Sequence, residues 1–178
     1  MIVKSHELKK NINKNINYYL LYGNNSGLIE ENVNNVLKPN FSQNVIYYDE
    51  HEILDRIDTF REEIFNRSFF ENDKLIIINR VSDKMLSLIN EIVDKEIDDL
   101  KIVLKAGILE KKSKLRNFFE KQKNTICVPF YSDQNRTLSF LAISFFKQKK
   151  ISISQEVINF LVERCRGDRS NLNNEMNK

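Results

Sequence analysis

The sequence contains no tryptophan, and cysteine, proline and glycine are scarce, with two Cys, two Pro and four Gly among 178 residues. Two cysteines cannot form a disulfide framework or a four-ligand zinc site, which favours a reducing compartment. So little glycine and proline excludes collagen-like and flexible low-complexity chains. No apolar run reaches the roughly 18 residues of a membrane span, and the N-terminus lacks the apolar core of a secretory signal. We therefore expect a globular protein of the cytoplasm.

Charge is nearly balanced overall but unevenly distributed. The chain has 28 Lys and Arg against 25 Asp and Glu, a formal net charge of +3, which is too small to indicate a nucleic-acid-binding protein. Acidic residues dominate 49–100, whereas basic residues dominate 101–123. The two segments are either faces with different partners or the solvated faces of helices, and the charges alone favour the second interpretation.

Five short apolar runs are candidate β-strands. Each run is continuously hydrophobic rather than alternating, which is typical of parallel strands that are covered on both faces. The runs span 18–22, 45–48, 75–78, 102–104 and 125–128. Helical patterns separate them, so strand alternates with helix to about residue 130. This alternation predicts a doubly wound α/β domain with a parallel sheet.

Four helical patterns lie between these strands. Apolar residues recur at helical spacing over 52–65, over 83–95 after a Ser82 or Asp83 cap, and over 113–121 with Ser113 as the cap. A further helix follows Gly27 and is expected to end at Lys38-Pro39.

From Asn135 onward the pattern is helical only. One helix is expected around 138–145, a second around 157–165 with Ser154 as its cap, and a third beginning near Leu172. Gly167 is expected to end the second helix and Asp168 to cap the third. We therefore predict an α/β domain over 1–134 and an all-helical domain over 135–178, and we expect the chain to stop inside the helical domain.

The segment after the first candidate strand lies where an α/β nucleotide-binding fold has its phosphate loop. A P-loop has the pattern G-x-x-x-x-G-K-[ST], but here Gly23 and Gly27 are four apart and Leu28-Ile29 replace the Lys and Ser/Thr. The strand 75–78 is followed by Asn79-Arg80, without the acidic residues with which a Walker-B strand holds magnesium in a nucleoside triphosphatase. The sequence therefore predicts a degenerate loop that does not bind nucleotide.

No catalytic or metal-binding set is indicated by the remaining reactive residues. Cys127 lies in a candidate strand and Cys165 on an apolar helix face, so both are interpreted as core thiols. His51 lies at an acidic helix entry and is interpreted as a surface residue.

Two segments are candidates for binding a partner. Phe69 and Phe70 are adjacent, after Ser68, in the polar connection 66–73, where they either form an exposed anchor for a pocket on a partner or pack under the sheet. Lys111, Lys112, Lys114 and Arg116 form a basic stretch at the start of a helix. That stretch either contacts DNA phosphates or is a solvated loop, and the pattern favours the loop.

The ordered set of features resembles the delta subunit of the bacterial DNA polymerase III clamp loader. The resemblance is carried by residues 18–24 with 28–31, by Ser68-Phe69-Phe70 before the strand at 74–78, by 100–104 leading to 109–115, and by the helical unit ending at 163–168. It covers nearly the whole chain. It implies an AAA+-like architecture, with an α/β first domain, a small helical second domain and a helical third domain that joins a pentameric collar and is missing here.

The resemblance also implies a function. The family's delta subunit does not hydrolyse ATP, and a hydrophobic pair at the tip of its first domain enters a pocket on the sliding clamp and helps to open the ring. That pair corresponds to Phe69 and Phe70, with Ser68 before it. The family often has Leu-Phe here and a Gln several residues earlier, whereas this chain has Phe-Phe and Phe65, which puts the polar contact of that Gln in doubt.

We therefore expect a non-catalytic clamp-loader subunit of the DNA-directed DNA polymerase, with no cofactor. Its expected partners are the sliding clamp, the other loader subunits and, through the complex, primed DNA, with no membrane contact. Two alternatives stay open: a nucleic-acid-binding module that uses residues 111–116, and a nucleotide-dependent enzyme on a similar α/β fold.

Overall fold

The centre of the molecule is a five-stranded parallel β-sheet. A computed structural model describes residues 1–12, 15–41, 44–65, 74–97 and 100–178. The strands run in the order β2-β3-β4-β1-β5. They are β1 (Tyr18–Gly23), β2 (Asn44–Asp49), β3 (Lys74–Asn79), β4 (Leu100–Ala106) and β5 (Thr125–Phe130). All five predicted strands are present, and the doubly wound α/β fold is confirmed.

In the residue ranges given above, ten α-helices accompany the sheet. A π-helical turn, Val33–Leu37, joins the second to the third, and 3-10 turns at Ser5–Glu7 and Asp83–Met85 precede the first and the sixth. The helices are α1 (Leu8–Asn11), α2 (Ser26–Asn32), α3 (Lys38–Asn40), α4 (Glu50–Asp55), α5 (Ile57–Phe65), α6 (Leu86–Asp94), α7 (Lys114–Lys121), α8 (Asn135–Gln148), α9 (Gln155–Cys165) and α10 (Arg169–Met176).

Both faces of the sheet are covered, which explains why the strands are continuously apolar. Successive side chains of a strand point to opposite faces. Tyr18, Leu20 and Tyr22 of β1 join a core with residues of α4 to α7, whereas Tyr19 and Leu21 join a second core with residues of α1, α2 and the π-turn. The strands β1, β3, β4 and β5 are thus buried on both faces, as their continuous apolar runs require, whereas the edge strand β2 is more open, with Tyr47 50% exposed.

The helix after Gly27 differs from the prediction at both ends. It begins at Ser26, because the side chain of Asn25 accepts a hydrogen bond from the backbone N–H of Leu28. Helical backbone also continues past the expected stop at Lys38-Pro39 to Asn40. Pro39 lies in the first turn of α3, where a missing N–H costs little, so the proline does not end the helix.

The predicted single helix over 52–65 is two helices. It begins earlier, at Glu50, because Asp49 and Glu52 form a reciprocal capping box. It is then interrupted at Arg56, whose backbone leaves the helical region with φ −132° and ψ 45°. The Arg56 N–H still donates to Ile53 and its carbonyl accepts from Phe60, so the chain bends without losing these bonds.

The helices α8, α9 and α10 form a helical unit with its own core. That core is built from Leu138, Ala142, Ile158, Leu161, Val162, Cys165, Leu172 and Met176. Ser154 caps α9 and Asp168 caps α10, as predicted. Arg166 and Gly167 both have positive φ, +47° and +82°, where α9 ends. In the described part of the chain, no helix combines the length and hydrophobicity that crossing a membrane requires.

Candidate functional site

The loop from Gly23 to Gly27 lies at the carboxyl end of β1, where this type of sheet binds ligands. Gly23 has φ +144°, and a Cβ atom at this position would lie 2.0 Å from the carbonyl oxygen of Phe130. Its N–H donates to Gly107 at 3.1 Å. The glycine is therefore required by the close approach of β5.

Asn25 is fully buried and forms the centre of this loop. Its amide nitrogen donates to the Tyr131 carbonyl at 3.1 Å and to the Asp133 carboxylate at 2.9 Å. Its amide oxygen accepts from the backbone N–H of Leu28 at 3.1 Å and of Arg169 at 3.4 Å. One side chain thus joins the start of α2, the segment after β5 and the start of α10.

Arg169 fills the space beside Asn25. Its Nε and Nη2 donate to the two oxygens of Asp133, at 2.6 and 3.2 Å, and its Nη1 donates to Glu31 at 2.6 Å. The side chains of Arg169 and Asp133 are only 16% and 9% exposed. Burial alone would lower the pKa of Arg169, but its bonds to Asp133 and Glu31 outweigh that effect and raise the pKa above its usual value.

Close backbone contacts complete the arrangement. A Cβ at Gly27 would lie 2.2 Å from the backbone nitrogen of Ser170, so only glycine lets α2 and α10 approach this closely. The hydroxyl of Ser26 donates to Asp168 at 2.9 Å. The N–H of Asp133 donates to the carbonyl of Gly167 at 2.8 Å.

These contacts decide what the loop can do chemically. A working phosphate loop offers backbone N–H groups and a lysine to an anion. Here the Leu28 N–H is bonded to Asn25, and Ile29 is buried in the core rather than cationic. The carboxylates of Asp133 and Asp168 lie where the start of a helix attracts negative charge. The loop is filled by the protein's own groups.

The end of β3 also lacks a carboxylate in the structure. Asn79 donates to the carbonyl of Tyr48 at 3.2 Å. Arg80 follows with φ +57° and pairs with Asp49 at 2.5 Å. Asn79 and Arg80 are thus used in local contacts beside the sheet.

The basic stretch contains three exposed lysines and one partly buried arginine. Lys111, Lys112 and Lys114 are exposed, and Lys112 pairs with Glu110 at 2.9 Å. Arg116 is held within the fold: it donates to Glu120 at 2.7 Å and to the Leu109 carbonyl, and it lies over the ring of Tyr22. DNA contact by these four residues stays a prediction.

The N–H groups at the start of α7, next to this stretch, already have partners. Asp83 accepts from the Lys114 and Leu115 N–H groups and from the Ser113 hydroxyl. Ser113 in turn accepts from Arg116, as its predicted role as a cap requires. Ser82, rather than Asp83, caps the turn before α6.

The predicted clamp-binding residues Ser68, Phe69 and Phe70 lie outside the described residues, between the end of α5 and the start of β3. The interpretation of both cysteines as core thiols is confirmed, because both are buried and burial raises the pKa of Cys127 to about 12. His51 is exposed and pairs with Asp55 at 3.0 Å. Within the described ranges, no cluster of His, Cys, Asp and Glu could hold a metal ion.

Sequence reasoning missed the three residues that fill the loop: Asn25, Asp133 and Arg169. Asn25 and Asp133 follow β1 and β5, and polar residues after adjacent parallel strands meet at one edge of the sheet. That signal could have paired them. Arg169 carries no comparable signal, because only the packing of the helical unit brings it to this edge.

The strand order, the altered phosphate loop after β1 and the helical unit that follows β5 define an AAA+-like domain. Residues 19–131 match the family described as "DNA polymerase III, delta subunit". The chain belongs to this family. No curated protein matches the chain in sequence.

Solved structures share the fold at low sequence identity. The Bacillus subtilis DNA clamp loader delta protein (YqeN) has a TM-score of 0.58 and 18% identity, over 97% of this chain and 54% of that one. Domain III of the Thermotoga maritima replication initiation protein DnaA has a TM-score of 0.59 and 17% identity, over 96% of this chain and 77% of that one. AMPPCP-bound DnaA from Aquifex aeolicus has a TM-score of 0.62 and 18% identity, over 97% of this chain and 57% of that one. The chain thus spans about half the length of the delta protein that it matches.

Proposed function

We propose that this chain is the clamp-opening subunit of a bacterial replicative clamp loader. The observation that carries the proposal is the family match over residues 19–131. In this role the protein binds the sliding clamp, helps to open the ring and acts with the other loader subunits to place it on primed DNA during chromosomal replication. That work takes place in the cytoplasm.

The subunit contributes binding energy rather than catalysis. Two features support this part of the proposal: protein groups fill the loop after β1, and Asn79 and Arg80 stand where a nucleoside triphosphatase has carboxylates for magnesium. ATP hydrolysis is then left to other subunits, and this chain needs no cofactor.

Ser68, Phe69 and Phe70 are the proposed clamp contact. Two aromatic side chains can bury roughly 300–500 Å² of surface, which is enough to anchor a protein in a pocket. Binding alone does not open a ring, because a ligand shifts an equilibrium only by its differential affinity for the two states. The rest of the domain must therefore fit the open clamp better than the closed one.

DNA is a proposed partner through the assembled loader. The exposed ammonium groups of Lys111, Lys112 and Lys114 are suited to phosphates, as point charges that need no fixed geometry. Arg116 is a weaker candidate, because its guanidinium is bonded to Glu120 and Leu109.

Binding to the sliding clamp from the same source tests the proposal. Surface plasmon resonance would compare the wild type with Phe69→Ala/Phe70→Ala, and circular dichroism would verify that both are folded. We expect the double variant to bind about tenfold more weakly or worse, because loss of a central aromatic anchor costs about 1.4 kcal/mol or more.

A matched control removes two exposed phenylalanines elsewhere. Phe140 and Phe160 are 69% and 56% exposed on α8 and α9, so Phe140→Ala/Phe160→Ala loses the same number of rings and is expected to bind normally. Equal binding by wild type and Phe69→Ala/Phe70→Ala would move the contact elsewhere. No binding by folded wild type would contradict the clamp-opening role.

A further inference from the structure

The helical unit is joined to the α/β unit through polar contacts rather than through a shared core. Among the described residues, the buried side chains of the helical unit form one cluster, and those of the sheet form two others. Within this described part of the chain, no buried side chain belongs both to the helical cluster and to a sheet cluster. The orientation of one unit on the other must therefore depend on other contacts.

Those contacts concentrate between α2, the segment after β5 and the start of α10. Arg169 of α10 binds Asp133, which follows β5, and Glu31 of α2. Asn25 accepts the Arg169 N–H, and Ser26 donates to Asp168. A guanidinium that binds one carboxylate through two nitrogens is held in a fixed orientation, in addition to being attracted by the opposite charge.

Burial makes the ion pair sensitive to the loss of one member. Arg169 and Asp133 are 16% and 9% exposed. Removing one member of a nearly buried pair leaves an uncompensated charge, which is much more costly than losing a surface ion pair. The units would then separate or rotate to let water reach the remaining charge.

We propose that Arg169, Asp133 and Glu31 form a latch that holds the helical unit in one orientation on the α/β unit without any bound ligand. The start of α2, where a phosphate loop would bind an anion, is used instead for a permanent contact within the chain. The proposal does not depend on clamp binding, so either can fail alone.

A distance measurement tests the latch. Nitroxide labels on Lys121→Cys in α7 and Glu156→Cys in α9 would report the distance between the units, since both positions are exposed. Cys127 and Cys165 are buried, so they leave the two new thiols as the reactive sites. Double electron–electron resonance spectroscopy would give the distribution of distances between the two labels in the otherwise unchanged chain.

We expect one narrow distribution, which Arg169→Ala broadens at least about twofold in width. Arg164→Ala is the matched control, because Arg164 is an arginine of the same unit that is 55% exposed and lies 3.9 Å from Glu175. It is expected to leave the width unchanged. An unchanged width in Arg169→Ala that circular dichroism shows to be folded would overturn the proposal.

A steric variant tests the same contact without removing a charge. The Cβ of Gly27→Ala would meet the backbone of Ser170 at 2.2 Å, whereas a Cβ at Gly107 has nothing within 4 Å. We expect Gly27→Ala to broaden the distribution and Gly107→Ala to leave it narrow. If Arg169→Ala does not fold, the two glycine variants test the proposal in its place. A narrow distance distribution in folded Gly27→Ala would then refute the latch.

Discussion

The carboxylate of Asp83 lies at the start of α7, although Asp83 itself belongs to the turn before α6. Its bonds to the Ser113 hydroxyl and to the backbone N–H groups of Leu115 and Lys114 lower its pKa from the ordinary value of 3.8. A carboxylate at this place satisfies donors that a helix start cannot satisfy itself. One residue therefore links the third and fourth crossovers of the sheet.

We predict that Asp83→Asn is destabilising in a pH-dependent way. At pH 7 the loss of the charged acceptor should cost about 1 kcal/mol of unfolding free energy. Because the pKa is lower in the folded state, this stability is present above the unfolded value of 3.8 and is lost as the pH falls through the folded pKa. Urea unfolding from pH 7 to pH 3 should show the difference from wild type closing.

Asp94→Asn in α6 serves as the control. Asp94 is exposed and accepts from Asn90 at 3.0 Å, a bond that an amide oxygen can also accept. A difference between wild type and Asp83→Asn that stayed constant down to pH 3 would contradict the assigned role of the charge.

At the scale of elements, the capping box of α4 is the clearest local device. Asp49 accepts from the N–H of His51, and Glu52 accepts from the N–H of Asp49 at 3.0 Å. Asp49 also pairs with Arg80 of the next crossover. This cap fixes where the chain turns from β2 into α4.

We predict that Asp49→Ala lowers the unfolding free energy by about 1 kcal/mol, the usual cost of losing a helix cap. Asp55→Ala in the same helix is the control: its carboxylate is 61% exposed and pairs across the surface with His51, so its loss should cost less than about 0.5 kcal/mol. Chemical denaturation measures both. Equal costs would mean that the cap adds nothing beyond a surface charge.

The elements show which parts of the fold a sequence can reveal. Strands β1, β3, β4 and β5 were predictable, because burial on both faces requires continuous apolar runs. The edge strand β2 has such a run as well, although its residues are only partly buried. The break at Arg56 was not, since the apolar spacing of Ile53, Ile57 and Phe60 fits one continuous helix equally well. Pro39 misled the prediction, because a proline is compatible with a first helical turn as well as with a helix end.

The candidate site was predictable only in part. The missing Lys and Ser/Thr after Gly27 indicated an altered loop, but nothing in the sequence indicated what fills it. Arg169 lies 36 residues from Asp133 and 138 from Glu31, so only the packed helical unit brings them together. The resemblance assigned Phe69 and Phe70, which lie outside the described residues, so their role stays a prediction.

At the scale of the whole molecule, the sheet and the helical unit meet at the carboxyl ends of the strands β1 and β5, the edge at which open α/β sheets bind ligands. DnaA from Aquifex aeolicus, with the same fold, was solved with AMPPCP bound. In this chain the carboxylates of Asp133, Asp168 and Glu31 converge on that edge. Negative charge there opposes a triphosphate rather than attracting it.

We therefore predict that 1 mM Mg–ATP leaves the thermal unfolding midpoint unchanged. A ligand that binds the folded state at 100 times its dissociation constant stabilises it by about 2.7 kcal/mol, which for a chain of this size would raise the midpoint by roughly 5–10 °C. Added salt distinguishes specific binding from weak attraction to surface lysines such as Lys111, because surface attraction is screened. An ATP-dependent rise that persists at high salt would contradict the filled loop and favour the alternative of a nucleotide-dependent α/β enzyme.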